Sequence, residues 1–288
     1  MTSPQSKNLI SRRTFLRLAK HALVVAGAGG FASVYAWNIE PNNLVVENVP
    51  VRLSRLPKTL NGLTVGFLSD LHIFAPVSPE HIARAVQMLM QRNPDLVVLG
   101  GDYVTGSADA ASSCADVLAQ LRAPLGVYAL LGNHDYWVGN TQHIVAQFTR
   151  VGIRVLRNES VKLGNETERF YLVGLDDVWE EHVDLSVLAN IPADACTIVA
   201  VHEPDFATEL AKLGIDLQIS GHSHGGQVRL PFIGAPQLPY LGTKYPIGLQ
   251  RVGEFTQIYT SRGVGMIYPA VRFNCPPEVT VLKLQSSI

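Results

Sequence analysis

Cysteine is scarce in this chain. Cys114, Cys196 and Cys275 are the three in 288 residues. They stand far apart, form no C-x-x-C pair and are too few for a disulfide framework. Charge is also sparse, at 16% of residues, and acidic residues are missing altogether from the first 36. That stretch holds five basic residues, Lys7, Arg12, Arg13, Arg17 and Lys20. Without them the chain carries 18 Lys and Arg against 24 Asp and Glu, a net charge of −6. Such a body lacks the basic face that replaces counterions on a polyphosphate, so no nucleic-acid binding is expected. No fixed-period repeat or low-complexity run is present. The hydrophobic fraction of 47% excludes wholesale disorder, and the length allows one large domain or two small ones.

What the N-terminus does contain is specific. Ser11-Arg12-Arg13-Thr14-Phe15-Leu16-Arg17 precedes an apolar stretch from Ala22 to Ala36 of about 15 residues, short of the roughly 20 that span a bilayer. Val34-Tyr35-Ala36 places small residues where a cleavage site wants them. Residues 1–36 resemble a twin-arginine export signal, with an uncleaved anchor as the other reading. Export by the twin-arginine translocation machinery implies an extracytoplasmic, cell-envelope or membrane-associated protein that folds first. Residues 37–60 read as an extended lead-in, since Pro41, Pro50 and Pro57 forbid a long helix.

From residue 61 to 288 apolar strand-like runs alternate with helical patterns. Strands are expected at 63–68, 96–99, 126–131, 170–173, 197–201, 217–219, 257–260 and 279–284. Helices are expected after Ser78-Pro79, over 110–121 and over 141–150. Ser78 serves as N-cap, and Ile82, Ala85, Val86, Leu89 and Met90 form one face. The alternation predicts an α/β fold, and the late strands with few helices suggest a second, mixed sheet.

Polar residues collect where the strands end. Asp70 and His72 follow the first strand, Gly101-Asp102 the second and Gly132-Asn133-His134-Asp135 the third. His202 follows the strand at 197–201, and Gly221-His222-Ser223-His224 the strand at 217–219. The carboxyl ends of strands are where open α/β sheets bind ligands. Asp-x-His and His-x-His each turn two side chains toward one place. A carboxylate, imidazole and amide set suits Mn²⁺, Fe or Zn²⁺. Taken singly, each block is an ordinary turn or solvated strand end; five in order point to a metal site. His21, His81, His143 and His182 fall elsewhere and receive no role.

In their order D-x-H, G-D, G-N-H-D, H and G-H-x-H, these blocks resemble the calcineurin-like metallophosphoesterases, from about Leu63 to Leu284. The stretches Gly221–Gln227 and Arg272–Glu278 are similar to the exported bacterial phosphodiesterase-like subgroup. The resemblance implies a four-layer αββα sandwich of two mixed sheets. It also implies two divalent ions: Asp70, His72 and His224 on one, Asn133, His202 and His222 on the other, Asp102 bridging. His134 would act as a catalytic side chain outside the ligand set. The implied activity is hydrolysis of a phosphodiester or related ester by a metal-activated hydroxide.

One position departs from that pattern. Many relatives read G-D-x-x-D, whereas Thr105 stands at the last position here, leaving Asp135 or another acid to orient His134. Tyr240, Lys244, Tyr245, Arg262 and Arg272 are candidates to wall the substrate, and Trp137 to flank the leaving group. Cys196 and Cys275 read as buried structural residues. The alternative substrate is a nucleotide-linked lipid precursor such as UDP-2,3-diacylglucosamine, cleaved as a pyrophosphate, with the N-terminus attaching the protein near its membrane. A non-catalytic binding scaffold is the other alternative, and it would be expected to have lost ligands or His134.

Overall fold

The computed structural model describes residues 11–74, 76–165 and 168–287. Residues 1–10, the start of the expected export signal, lie outside them. Helix α1 (Arg12–Val34) begins at Ser11, whose side chain accepts from the Thr14 N–H at 3.2 Å. The paired arginines therefore sit in its first turn. Phe15, Leu23, Val24 and Phe31 on it are exposed. Among the described residues no helix is long and apolar enough to cross a membrane.

Among the described residues, twelve strands build the domain. They are β1 (Val45–Leu53), β2 (Thr64–Leu68), β3 (Leu96–Leu99), β4 (Val127–Ala129), β5 (Arg154–Val155) and β6 (Glu159–Gly164). The rest are β7 (Arg169–Gly174), β8 (Cys196–Ala200), β9 (Leu217–Ser220), β10 (Gly248–Val252), β11 (Thr256–Thr260) and β12 (Glu278–Ser286). One sheet runs β1-β12-β2-β3-β4-β5, the other β10-β11-β9-β8-β7-β6. Both are mixed. Strands β2 to β5 are parallel, as are β7, β8, β9 and β11, while β12 meets β2 antiparallel.

Helices α2 (Pro79–Met90), α3 (Ala110–Leu118) and α5 (Thr141–Arg150) cover the outer face of the first sheet, with α4 (Asn133–Trp137) preceding α5. Ile82, Ala85, Val86 and Leu89 of α2 are buried there with Leu118, Ile144 and Phe148. A second core, including Phe67, Leu96, Val98, Phe170, Ile198 and Leu217, lies between the sheets. The far face of the second sheet is covered by α6 (Ala207–Lys212) and a 3₁₀ stretch at Leu185–Asn190. Two mixed sheets flanked by helices is the architecture that the family resemblance implies, within the α/β class that the alternation predicts.

The differences are local. The expected lead-in holds β1, which pairs in parallel with β12, so the sheet begins before residue 61. Pro50 is tolerated because β1 is an edge strand with a partner on one side only. β5 and the brief α4 and α6 carry too few residues for a periodic signal, and β6 and β10 are largely exposed edge strands with few apolar residues.

Candidate metal centre

The parallel strands of both sheets deliver polar residues to one place. β2 and β3 end in Asp70, His72 and Asp102; Asn133 and His134 open α4 after β4. From the second sheet, His202 follows β8, and His222 and His224 follow β9. The seven candidate ligands are all buried, and His134 is half-buried.

Three groups of donor atoms converge within 4.8 Å: Asp70, His72 and His224; Asp102, His202 and His222; and His72, Asp102 and His134. Asp102 Oδ2 lies 3.1 Å from His202 Nε2 and 3.4 Å from His72 Nε2, so it stands between the first two groups. His224 Nε2 is 3.0 Å from His72 Nε2 and 3.5 Å from Asp70 Oδ1. Asn133 Oδ1 is 3.0 Å from His222 Nδ1. The structure thus brings together every residue the motifs nominate.

The backbone is bent to achieve this. Asp70, His72, Asp102, His222 and His224 all have φ between 44° and 67°, the left-handed region that costs L-residues free energy. Close approach requires glycine beside them. A Cβ on Gly132 would collide with the Asp102 carboxylate, and one on Gly221 with Ser69 and Asp70. Asp135 does not orient His134. Its carboxylate accepts the N–H groups of Asp102 (2.8 Å), Tyr103 (2.9 Å) and Gly132 (3.0 Å), fixing the loops that aim Asp102 and Asn133. Burial, then the Asp102 charge, push its pKa up to about 7.

Ring tautomers are set by neighbouring groups. His202 Nδ1–H donates to the Gly100 carbonyl at 2.7 Å, leaving Nε2 facing Asp102. His222 Nε2–H donates to the Tyr240 carbonyl at 2.7 Å, leaving Nδ1 facing Asn133. Thr105, the departure from the family pattern, makes a 2.8 Å hydrogen bond with His72 Nδ1. Such outer partners hold ligating imidazoles in place. Burial lowers the His72 pKa to about 3 and that of His224 well below the usual value, keeping both neutral. Burial also works against a charged His202, but Asp102 and then Asp70 overcome it and raise its pKa. Burial lifts Asp70 to about 6.

The donor set fits a divalent-cation centre. Asp70 Oδ2 and His224 Nδ1 are fully buried without a hydrogen-bond partner. Stranding buried acceptors costs about 1–3 kcal/mol each, and a cation would offset that cost for those that face it.

A rim of aromatic residues borders the centre. His134 packs edge-on to His72 at 4.7 Å and against Trp137 at 4.6 Å. Trp179 contacts Trp137, Tyr240 and His222 edge-on, at 5.3, 5.4 and 5.6 Å. Trp137 and Tyr240 therefore lie where the sequence suggested. Trp179 was not foreseen, and a tryptophan in a polar loop, Trp179-Glu180-Glu181, was the signal available. Its loop is fastened by Glu203, which accepts the Val178 N–H at 3.2 Å beside the buried Asp177. Burial and the Glu203 charge push Asp177 up to about 9.

The other candidate wall residues are elsewhere. Arg262 pairs with Glu278 at 2.7 Å and with Glu47. The Lys244 and Tyr245 N–H groups bond Asp205. Arg272 is fully buried and donates to the carbonyls of Arg262, Gly263, Gly265 and Cys275, so it faces backbone and not substrate. Cys196 and Cys275 are buried, as expected.

The chain is similar in sequence to known proteins. The pattern of the calcineurin-like phosphoesterases matches residues 63–226. "Phosphodiesterase YaeI" of Escherichia coli is 35% identical over 281 residues, spanning 96% of this chain and all of that one. "Uncharacterized metallophosphoesterase YkuE" of Bacillus subtilis is 31% identical, spanning 96% of this chain and 99% of its own. An uncharacterized metallophosphoesterase of Aquifex aeolicus is 32% identical over 86% of this chain and 94% of its own. With the strand-end motifs in order, the donors converged and relatives matched along their whole length, the chain belongs to the calcineurin-like phosphoesterase family.

Proposed function

We propose that the protein is a phosphodiesterase with a two-ion centre. Asp70, His72 and His224 hold one divalent ion and Asn133, His202 and His222 the other, with Asp102 shared between them. Mn²⁺, Zn²⁺ and Fe all suit this donor set. The observation that carries the reading is Asp102 Oδ2 standing within 3.4 Å of an imidazole from each group. When bound, such an ion pair supplies Lewis acidity toward phosphoryl oxygens and lowers the pKa of water.

The chain's own groups do the rest. His134 is the least buried of the five histidines at the site, so it is the one a substrate reaches. Its ring serves as hydrogen-bond or proton donor to the departing ester oxygen. Its backbone N–H donates to Asp102 Oδ1 at 2.9 Å, which ties the donor to the shared carboxylate. Trp137, Trp179 and Tyr240 exclude water on the His134 and His222 side and contact an ester substituent. A diester has two organic substituents, and the E. coli relative bears the name phosphodiesterase.

A second reading is favoured by one observation. His222 and His224 share a cavity of about 370 Å³ with Val228, Leu238, Ile267 and Val271. An apolar cavity continuous with the centre suits a lipid-linked pyrophosphate such as a UDP-diacylglucosamine. For either substrate, the paired arginines at the start of α1 support export by the twin-arginine route and work at the cell envelope.

The test is product analysis with the Mn²⁺-loaded and Zn²⁺-loaded protein on bis(nitrophenyl) phosphate, nitrophenyl phosphate and a UDP-linked lipid, with bound metal counted. Turnover of the diester above the monoester, with two ions per chain, is expected. Preference for the monoester, or one ion at full activity, overturns the proposal. Cleavage of the UDP-lipid alone selects the second reading.

A further inference from the structure

A deeply buried acid away from the centre is Glu40, 1% exposed, in the stretch between the N-terminal helix and β1. No lysine or arginine pairs with it among its described contacts. Its two carboxylate oxygens accept the backbone N–H groups of Asn274, at 2.8 Å, and of Cys275. Asn274 is left-handed at φ 52°, so these two bonds hold a turn that the backbone alone disfavours.

That turn lies against the metal centre. Cys275 Sγ contacts the His224 carbonyl at 3.3 Å, and a Cβ on Gly225 would come within 2.8 Å of the same sulfur. The Cys275 carbonyl accepts from Arg272 at 2.9 Å. The other arm of that buried guanidinium donates to Gly263 at 3.2 Å and Gly265 at 2.6 Å. The 263–265 loop in turn holds the strand end. Val264 N–H donates to Ser69 at 2.9 Å and Gly265 N–H to Asp70 at 2.7 Å. One connected path therefore runs from Glu40 through the 272–275 turn to the backbones of His224 and Asp70.

We propose that Glu40 is a positioning residue for the ion held by Asp70, His72 and His224, and that the functional domain begins at this residue. The proposal rests on the two-ion reading above. Losing the carboxylate frees the Asn274–Cys275 turn, and His224 and Asp70 relax out of their left-handed backbone. The Asn133–His202–His222 group meets this path only at the Asp70 side chain, which accepts the His222 N–H at 2.8 Å, and its own donor atoms are left in place. Ala36, whose carbonyl accepts the Arg272 N–H at 3.0 Å, lies outside the essential part.

The experiment compares the full chain with Glu40→Ala, Glu40→Gln, a form lacking residues 1–36 and one lacking residues 1–43. Mn²⁺ binding is titrated calorimetrically, and melting is followed with and without Mn²⁺. The expected result is about a 10–100-fold loss of affinity at one of two sites in Glu40→Ala, the usual cost of an outer-shell change. The rise in melting temperature on adding Mn²⁺ shrinks with it. Glu40→Gln, which keeps one acceptor oxygen, is intermediate. Removing 1–36 leaves both sites, and removing 1–43 weakens the same one. Equal metal affinity with a lower melting point of the metal-free protein makes Glu40 merely structural and overturns the proposal, as does loss of both sites together. His224→Ala is the control. If it keeps two ions, the two-ion reading fails, independently of Glu40.

Discussion

The two sheets contribute unlike chemistry to one centre. The first supplies all the negative charge and the amide: Asp70, Asp102 and Asn133, with His72 and His134. The second supplies three imidazoles, His202, His222 and His224. Neither sheet alone completes the Asp70–His72–His224 group or the Asp102–His202–His222 group. The lesson is that the centre belongs to the packing of the sheets and not to a motif. The His222 N–H donates to Asp70 Oδ1 at 2.8 Å, so even the backbone of one sheet is aimed by the acid of the other.

The largest effect tests the charge side of that division. Asp102→Asn removes the charge shared between the two groups. Turnover should fall about 10⁴-fold, about 5.5 kcal/mol of transition-state stabilisation. Metal content after gel filtration should fall with it. Near-normal turnover with both ions would show that charge from the first sheet is not what the imidazoles of the second require.

Next is His134→Ala, which should cost about 10³-fold in turnover while both ions stay bound. The loss should be smaller for nitrophenolate leaving groups than for alkoxides, because a weakly basic oxygen needs little protonation. A leaving-group series with parallel metal analysis checks it. Loss of an ion would move His134 into the ligand set, consistent with its grouping beside His72 and Asp102, and would sharpen the first sheet's share.

A smaller effect is expected from Thr105→Val, which deletes the 2.8 Å hydrogen bond to His72 Nδ1. Metal affinity should weaken about tenfold, read by calorimetric titration. Unchanged affinity would mean that packing alone orients His72. The smallest is Trp137→Ala. The KM for an aryl diester should rise about fivefold, the equivalent of about 1 kcal/mol of aromatic contact, with kcat little changed. A fall in kcat at constant KM would instead make Trp137 a support for His134.

Much of this architecture could be read from the residues because local rules and global fold agree there. The strand ends at Asp70, Asp102, Asn133, His202 and His222 follow short apolar runs that could only be buried strands. Other features depend on contacts distant in sequence. The prolines of the lead-in exclude only a long helix, and the pairing of its extended chain with β12, with Pro50 at the sheet edge, depends on residues more than 200 positions away. Thr105 looked like a loss for His134, but it holds His72. Asp135 looked available to His134, but three backbone N–H groups consume it. Arg272 looked like a substrate-facing cation, and only the fold shows that it faces carbonyls. Glu40 bonds partners 234 and 235 residues away, which no local pattern could indicate.

The place of β12 has a consequence for the timing of folding. This strand lies between β1 and β2, pairing with Val45–Leu53 on one side and with Thr64–Phe67 on the other. During synthesis the N-terminal strands emerge first, but their shared neighbour is made only when residues 278–286 have been added. Until then β1 has no partner and β2 presents an open edge. The first sheet, and with it the seat of Asp70 and His72, closes only once β12 has been made. Any machinery that carries the chain in folded form must act after that moment, and a chaperone shielding the early strands would have to let go by then.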